Sequence, residues 1–309
     1  MNNDGVTAAI GIDVGGTKIA GGVVCWPSGE VLFPRTHPTL PERGGEAVLT
    51  SVKEMIRSLL AESRTHAISI RGAGVGVAEL VDENGNVTSA QTIPWVNFPV
   101  REHLSELCPV QVESDVRAGA LAESMFGAGR QFRTFVYVTV GTGISSCFVQ
   151  QGKPLAGARG NALVMASSPL STVCTACGMQ LHPVLEEFAS GPAIAARFIE
   201  SASFFKERRQ PCAAEHVFQA AAEGNPVAEE ILRSAGTALG VSVAFLVNVL
   251  DPEAAVVGGG LGLAKGPYWE SFVQSAREHI WSPCTRTLPF IRAALGVHSG
   301  VIGAAAKFF

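Results

Sequence analysis

An apolar run from Ala8 to Ile12 stops at Asp13-Val14-Gly15-Gly16-Thr17-Lys18, and alternation resumes from Ile19 to Val24. Run, polar break and alternation predict strand, tight turn, strand. A third strand follows the turn Pro27-Ser28-Gly29-Glu30, within residues 6–36. From Gly44 to Ser63 the positions Val48, Val52, Met55, Ile56, Leu59 and Leu60 recur at the helical period. Ala67 to Glu79 returns to strand character, and Gly72, Gly74 and Gly76 mark places where another backbone or a ligand comes close. Asp82-Glu83-Asn84-Gly85-Asn86 reads as a turn. Arg101–Cys108 then reads as helix, Val110–Glu113 as a short strand and Val116–Phe126 as helix.

Phe135–Val140 is the next strand, ending in Gly141-Thr142-Gly143, with a hairpin from Ile144 to Leu155. Helical patterns follow over Pro183–Phe188, Pro192–Ser201, Ala213–Ala222 and Val227–Leu250. Ala254–Val257 is a buried strand leading into Gly258-Gly259-Gly260, Ile291–Leu295 a short strand, and Val301–Phe309 a final helix. The β-β-β-α-β-α order starts at residue 6 and is echoed from residue 135, which predicts an α/β protein of two domains. Their boundary falls near Val116, giving residues 1–116 plus a returning 296–309, and residues 117–295.

Composition agrees with this picture. A chain of 309 residues has room for two cores, and 47% hydrophobic against 16% charged residues describes a folded protein. A net charge of −4 gives no electrostatic footprint for nucleic acid or anionic membrane. No apolar run reads as reaching the ~18 residues of a spanning helix. The start, Met1-Asn2-Asn3-Asp4, lacks the features of a signal peptide. Seven scattered cysteines argue against a disulfide framework. The expectation is a cytoplasmic protein with no nucleic-acid or membrane partner.

The amino-terminal turn carries the first candidate chemistry. Its glycines are expected to take positive φ and to approach a ligand closely. Thr17 offers a hydroxyl, and a turn rich in free N–H groups favours an anion. Asp13 is placed to hold Mg²⁺ through water. The spacing is neither a Walker A loop nor a dinucleotide fingerprint. An ordinary hairpin is the alternative. Asp115, where a strand meets a helix, suits either a general base or a helix N-cap.

Asp13-Val14-Gly15-Gly16-Thr17-Lys18 after an apolar strand resembles the first phosphate loop of the ROK family of bacterial sugar kinases. The resemblance implies an actin/hexokinase-like (ribonuclease H-like) fold with a cleft between its two α/β domains. It implies ATP and Mg²⁺, with phosphates held by Gly15, Gly16, Thr17 and Lys18 and by Gly141, Thr142 and Gly143. Gly258, Gly259 and Gly260 resemble the adenosine segment, a plain strand-to-helix connection being the alternative. Asp115 in Glu113-Ser114-Asp115-Val116 stands where the family's base takes the proton of the acceptor hydroxyl, and Ser114 replaces a sugar-binding asparagine. Thr92-Ile93-Pro94-Trp95 resembles the sugar loop, with Gln91 or Thr92 at its asparagine and Trp95 either lining the pocket or simply packing the loop. Arg159 and Asn161 fall in the middle signature, and Glu186 matches the family's last sugar-contacting acid, a solvated helix charge being the alternative.

That middle signature is altered. By register Val164 stands at the family's glutamate and Ser167 at its histidine, both of which contact the C1/C2 side of the sugar. Val cannot accept a hydrogen bond, so a hydroxyl unpaired there costs about 1–3 kcal/mol. Cys174 and Cys177 with His182 read either as the remnant of a zinc site lacking its third cysteine or as a metal-free loop of thiols. The expected activity is ATP-dependent phosphorylation of a primary hydroxyl on a ring altered at that side: a cyclitol, a C7 pseudo-sugar of the valiolone type, or an amino sugar. An ordinary hexose kinase and a non-catalytic sensor are the alternatives. Repressors of the family carry an amino-terminal helix-turn-helix, for which a phosphate loop beginning at residue 13 leaves no room. A homodimer is the expected assembly.

Overall fold

The computed structural model describes residues 7–173, 178–201 and 212–309. They fall into two compact units. The first runs to Arg133 and adds Val149–Ala162 and Ala294–Phe309; the second takes Thr134–Phe148 and Leu163–Ala293.

The first unit begins β1 (Thr7–Val14), β2 (Lys18–Cys25), β3 (Val31–Pro38), α1 (Gly45–Thr65), β4 (Ser69–Val77), α2 (Val100–Ser105), β5 (Val110–Ser114) and α3 (Asp115–Met125). From Thr134 the chain forms β6 (Thr134–Val140), β7 (Ile144–Gln150), β8 (Lys153–Pro154), β9 (Thr172–Val173), β10 (Gln180–Leu181), α4 (Leu185–Ala189), α5 (Gly191–Ser201), α6 (Ala214–Ala222), α7 (Pro226–Leu250), β11 (Ala254–Gly258), α8 (Gly259–Leu263), α9 (Pro267–His279) and β12 (Phe290–Arg292). It closes with α10 (Ser299–Ala306).

The first sheet has the order β3-β2-β1-β4-β5. β1 pairs antiparallel with β2 and parallel with β4, which pairs parallel with β5. The apolar run of β1 is buried on both faces. Ile10, Ile12 and Val14 pack with Val48, Val52, Met55, Ile56 and Leu59 of α1, whereas Ala9 meets Val301 and Ile302 of α10. The small residues are what let α10 approach: a Cβ on Gly74 of β4 would lie 1.7 Å from the Ala304 carbonyl oxygen. The expected close approach at this strand is therefore to a helix backbone. Because α3 also packs on α10, the chain leaves the first unit at Arg133 and not near Val116.

The second sheet has the order β12-β11-β6-β7-β8, with β11 parallel to β6 and to β12. Its core is built on α7, whose start is capped by Asn225 Oδ1 accepting from Val227 and Ala228 N–H at 3.0 and 3.1 Å. From Ser234 to Leu250 this helix carries no charge, and it is long and apolar enough to cross a membrane by length and composition. That corrects the sequence reading. Most of the stretch is buried, however, with Leu239, Val243, Ala244 and Val247 among its core residues. The sequence reading also missed α9, which Pro267 opens and whose Tyr268, Phe272 and Ala276 face the core. Gly236 and Gly240 let it lie close to α7, since a Cβ on Gly236 would stand 2.2 Å from the Tyr268 carbonyl oxygen.

Candidate active site

β1, β4 and β5 end level with one another: Val14 pairs with Val77, and Val77 with Ser114. Immediately beyond those three ends come Gly15, Ala78-Glu79 and Asp115. In open α/β sheets the carboxyl ends of parallel strands are where ligands bind. Residues separated by a hundred positions in the chain are thus collected at one edge.

Asp13 and Asp115 are recessed carboxyls of this edge, with Glu79 buried beside them. Burial pushes Asp13 up to about 6, partly offset by the positive charge of Lys18. Burial pushes Asp115 up to about 7, reinforced by the charges of Asp13 and Glu79 and opposed by the Val116 N–H, which donates to Oδ1 at 2.6 Å. A carboxylate poised near neutral pH is suited to general-base work. Asp115 occupies the first position of α3, and Ser114 supplies the N-cap without any side-chain cap bond. The N-cap alternative for Asp115 therefore falls. The Ser114 hydroxyl is buried with no hydrogen-bond partner, an orphan beside the candidate base.

The Gly15-Gly16 turn is closed by Gly15 N–H donating to the Lys18 carbonyl at 3.0 Å. Thr39 braces it, its hydroxyl donating to the Gly15 carbonyl at 2.6 Å. Contrary to expectation, neither glycine has positive φ. Space is what requires Gly16, because a Cβ there would lie 2.5 Å from Thr92 Cγ2. Thr17 and Lys18 are exposed at the tip. Thr92 thus stands against the phosphate-loop candidate, and Gln91 beside it is exposed.

Trp95 does not line a pocket. Its side chain is fully buried, and its Nε1–H donates to the Gly45 carbonyl at 2.8 Å. It anchors the 91–95 loop to the start of α1. Arg159 and Asn161 are exposed on either side of Gly160, whose carbonyl accepts from Arg117 at 2.7 Å. The buried Arg117 guanidinium also bonds the Val81 carbonyl at 2.5 Å and Glu113, itself ion-paired with Lys307 at 3.0 Å. Sequence reasoning missed Arg117, because Glu113 lies on β5 and Arg117 on α3, and their pairing depends on how that strand turns into the helix.

In the second unit the β6–β7 turn gathers the remaining candidates. Gly141 N–H donates to the Gly143 carbonyl at 2.9 Å, and the Gly141 carbonyl accepts from Gly191 at 2.8 Å. Thr142 is exposed. Glu186 Oε2 accepts the Ile144 N–H at 2.7 Å and would meet a Cβ on Gly143 at 2.8 Å, so this acid belongs to the turn and is not a solvated helix charge. Gly259 has φ of +79°, and a Cβ there would lie 2.3 Å from the Val140 carbonyl oxygen, so both conformation and space demand glycine. Gly258 is confined by Tyr137, whereas Gly260 faces nothing within 4 Å. The open backbone at Gly260, near Gly141, fits a flat group laid against it.

Val164 is 47% exposed and Ser167 donates to its carbonyl at 3.0 Å, so the serine hydroxyl is already engaged. The expected zinc ligands Cys174 and Cys177 lie outside the described residues. His182 is exposed, and among the described residues no group of three or more His, Cys, Asp or Glu is placed to hold a metal ion.

Comparison with known proteins gives the family and the fold. Residues 9–308 match the profile of the ROK family. The chain is 30% identical over 318 aligned positions to a glucokinase of Streptomyces coelicolor, covering 96% of each. It is also similar to the ROK hexokinase structure from Thermus thermophilus, with 32% identity, 97% coverage of both chains and a TM-score of 0.78. A ROK family glucokinase structure from Streptomyces griseus, in complex with glucose and AMPPNP, gives a TM-score of 0.80 at 27% identity, covering 97% of this chain and 98% of that one. The two-sheet architecture is accordingly the actin-like ATPase fold of ROK hexokinases, and the chain belongs to the ROK family.

Proposed function

We propose that the protein is an ATP-dependent kinase that phosphorylates a primary hydroxyl of a sugar or sugar-like ring altered on its C1/C2 side, such as a cyclitol, a C7 pseudo-sugar of the valiolone type or an amino sugar. The observation that carries the kinase reading is Asp115, a recessed carboxyl at the end of β5 whose pKa is pushed up to about 7. A hydroxyl attacks phosphorus only as its proton is taken up, and a base near neutral pH is matched to that task.

In this reading Gly15, Gly16, Thr17 and Lys18 hold nucleotide phosphate, as do Gly141, Thr142 and Gly143. Gly258 to Gly260 hold adenosine, and Asp13 helps to hold Mg²⁺. When bound, nucleotide and metal supply the phosphoryl group and neutralise its charge. Asp115 orients the acceptor hydroxyl and takes its proton. The fit is supported by the exposed hydroxyls of Thr17 and Thr142, the open backbone at Gly260 and the carboxyls of Asp13 and Glu79, whose charges are felt at Asp115. Val164 supports the altered ring, because its side chain offers no hydrogen bond where an ordinary hexose would need one, and the Ser167 hydroxyl already donates its proton to the Val164 carbonyl. The same reading makes a small molecule the partner and a second copy of the chain its assembly, in the cytoplasm; sedimentation gives the copy number.

The test is ATP consumption by the purified protein against hexoses, amino sugars, ketoses and cyclitols, with Asp115→Asn in parallel. A preferred acceptor whose signal drops about 10²–10⁴-fold in the variant supports the kinase. Clear preference for glucose over cyclitols overturns the altered-ring reading. ATP binding without turnover on any acceptor moves the protein to the sensors.

A further inference from the structure

Glu79, two residues beyond β4, is a buried charge that the reading above does not use. It is 6% exposed, and a carboxylate at that depth is tolerated only when its oxygens are well bonded. Oε1 accepts the N–H of Thr92 at 2.5 Å and of Ile93 at 2.7 Å. Oε2 accepts the N–H of Gln91 at 3.0 Å and the hydroxyl of Ser89. Ser89 Oγ in turn accepts from Leu80 N–H at 2.9 Å, tying the loop back to the strand end. Four donors fill the roughly four acceptor directions of a carboxylate. Glu79 therefore has no lone pair left to offer a bound ring.

Its bonds fix a loop that touches the phosphate-loop candidate at Gly16. Gln91 and Thr92 carry side chains toward solvent and toward Gly16, and their own backbone N–H groups end on Glu79. Ile93 and Trp95 sink into the core just beyond. The loop is thus held at one end by packing and at the other by a single carboxylate, whose charge is also felt at Asp115.

We propose that Glu79 is a positioning residue for the acceptor: its saturated carboxylate clamps residues 89–93 so that Gln91 and Thr92 are held beside Gly16 and the Asp115 edge in the arrangement the acceptor ring requires. The proposal rests on the kinase reading. It predicts that loss of the clamp is felt by the acceptor and not by ATP.

The experiment measures steady-state kinetics for both substrates, and amide hydrogen exchange of residues 91–93, in wild type, Glu79→Gln and Ser89→Ala. Gln keeps the shape but places an NH₂ opposite backbone N–H donors, while Ser89→Ala removes one donor of the four and leaves the charge in place. In Glu79→Gln the acceptor KM is expected to rise about tenfold or more with ATP KM within twofold, and the 91–93 amides to exchange at least tenfold faster. Ser89→Ala is expected to shift the acceptor KM in the same direction by about two- to fourfold. Unchanged acceptor KM in both variants, or an equal rise for both substrates, overturns the clamp while leaving the kinase standing. If Glu79→Gln does not fold, Ser89→Ala alone decides by the same criterion. Wild type silent on every acceptor overturns the kinase, and the proposal falls with it.

Discussion

Gly300, in the first turn of α10, lies against the carboxyl of Asp13: a Cβ at that position would stand 2.3 Å from Oδ2 and 2.5 Å from Cγ. The contact joins the last helix of the chain to the end of its first strand. Gly300→Ala therefore has to displace Asp13, at an overpacking cost of about 1–3 kcal/mol that the better helix propensity of alanine, about 1 kcal/mol, offsets in part. The expected outcome is a melting temperature within a few degrees of wild type and a fall of at least tenfold in kcat/KM for ATP. Unchanged ATP kinetics would show that the place of Asp13 does not matter.

Asp115 gives a pH dependence whose sign is fixed. Its folded pKa is raised from 3.8 to about 7, chiefly by burial and next by the charge of Asp13, so folding favours the neutral acid. That stability is fully present below about 4 and is lost as pH rises through about 7. Asparagine mimics the neutral form. Ligand-free Asp115→Asn should melt several degrees above wild type at pH 8 and alike at pH 4, as read by a thermal scan at both pH values. In wild type, kcat/KM for the acceptor should climb with pH through a limb near 7, since that ratio reports the free enzyme.

Glu186 holds the β6–β7 turn through the Ile144 N–H. Glu186→Ala removes a charge-assisted bond worth about 1.5–3 kcal/mol and frees the space beside Gly143. A turn that binds phosphate and has lost its brace should raise the KM for ATP by about tenfold. If instead only the acceptor KM rises, Glu186 is a ring contact and the turn is held by its other bonds.

Val164 is half exposed, so a glutamate fits there without burying a charge. Val164→Glu should raise kcat/KM for glucose relative to the preferred acceptor by about 5- to 150-fold, the factor that corresponds to about 1–3 kcal/mol for one restored hydrogen bond. A side-by-side assay in which the ratio does not move removes Val164 from acceptor choice.

The sequence by itself determined the elements and the motif positions that local chemistry dictates. The strand before Asp13, the helix of Val48 to Leu59 and the turns at Gly15-Gly16 and Gly141–Gly143 follow from side-chain period and from residues that break it. Those are short-range effects, legible in a window of ten or twenty residues. Only the tertiary structure decided which of these ends meet. The level pairing of Val14, Val77 and Ser114 brings Asp115 within the field of Asp13 and Glu79, and no local pattern encodes that register. Glu79 looked like the polar end of a strand until its oxygens were seen to collect donors from 10 to 14 residues away. Trp95 read as either a pocket wall or loop packing because an aromatic between prolines says nothing about depth; burial against α1 made it an anchor. Hydrogen-bond partners and depth are properties of the packed chain, since both depend on segments that are distant in sequence and adjacent only once the sheet has formed.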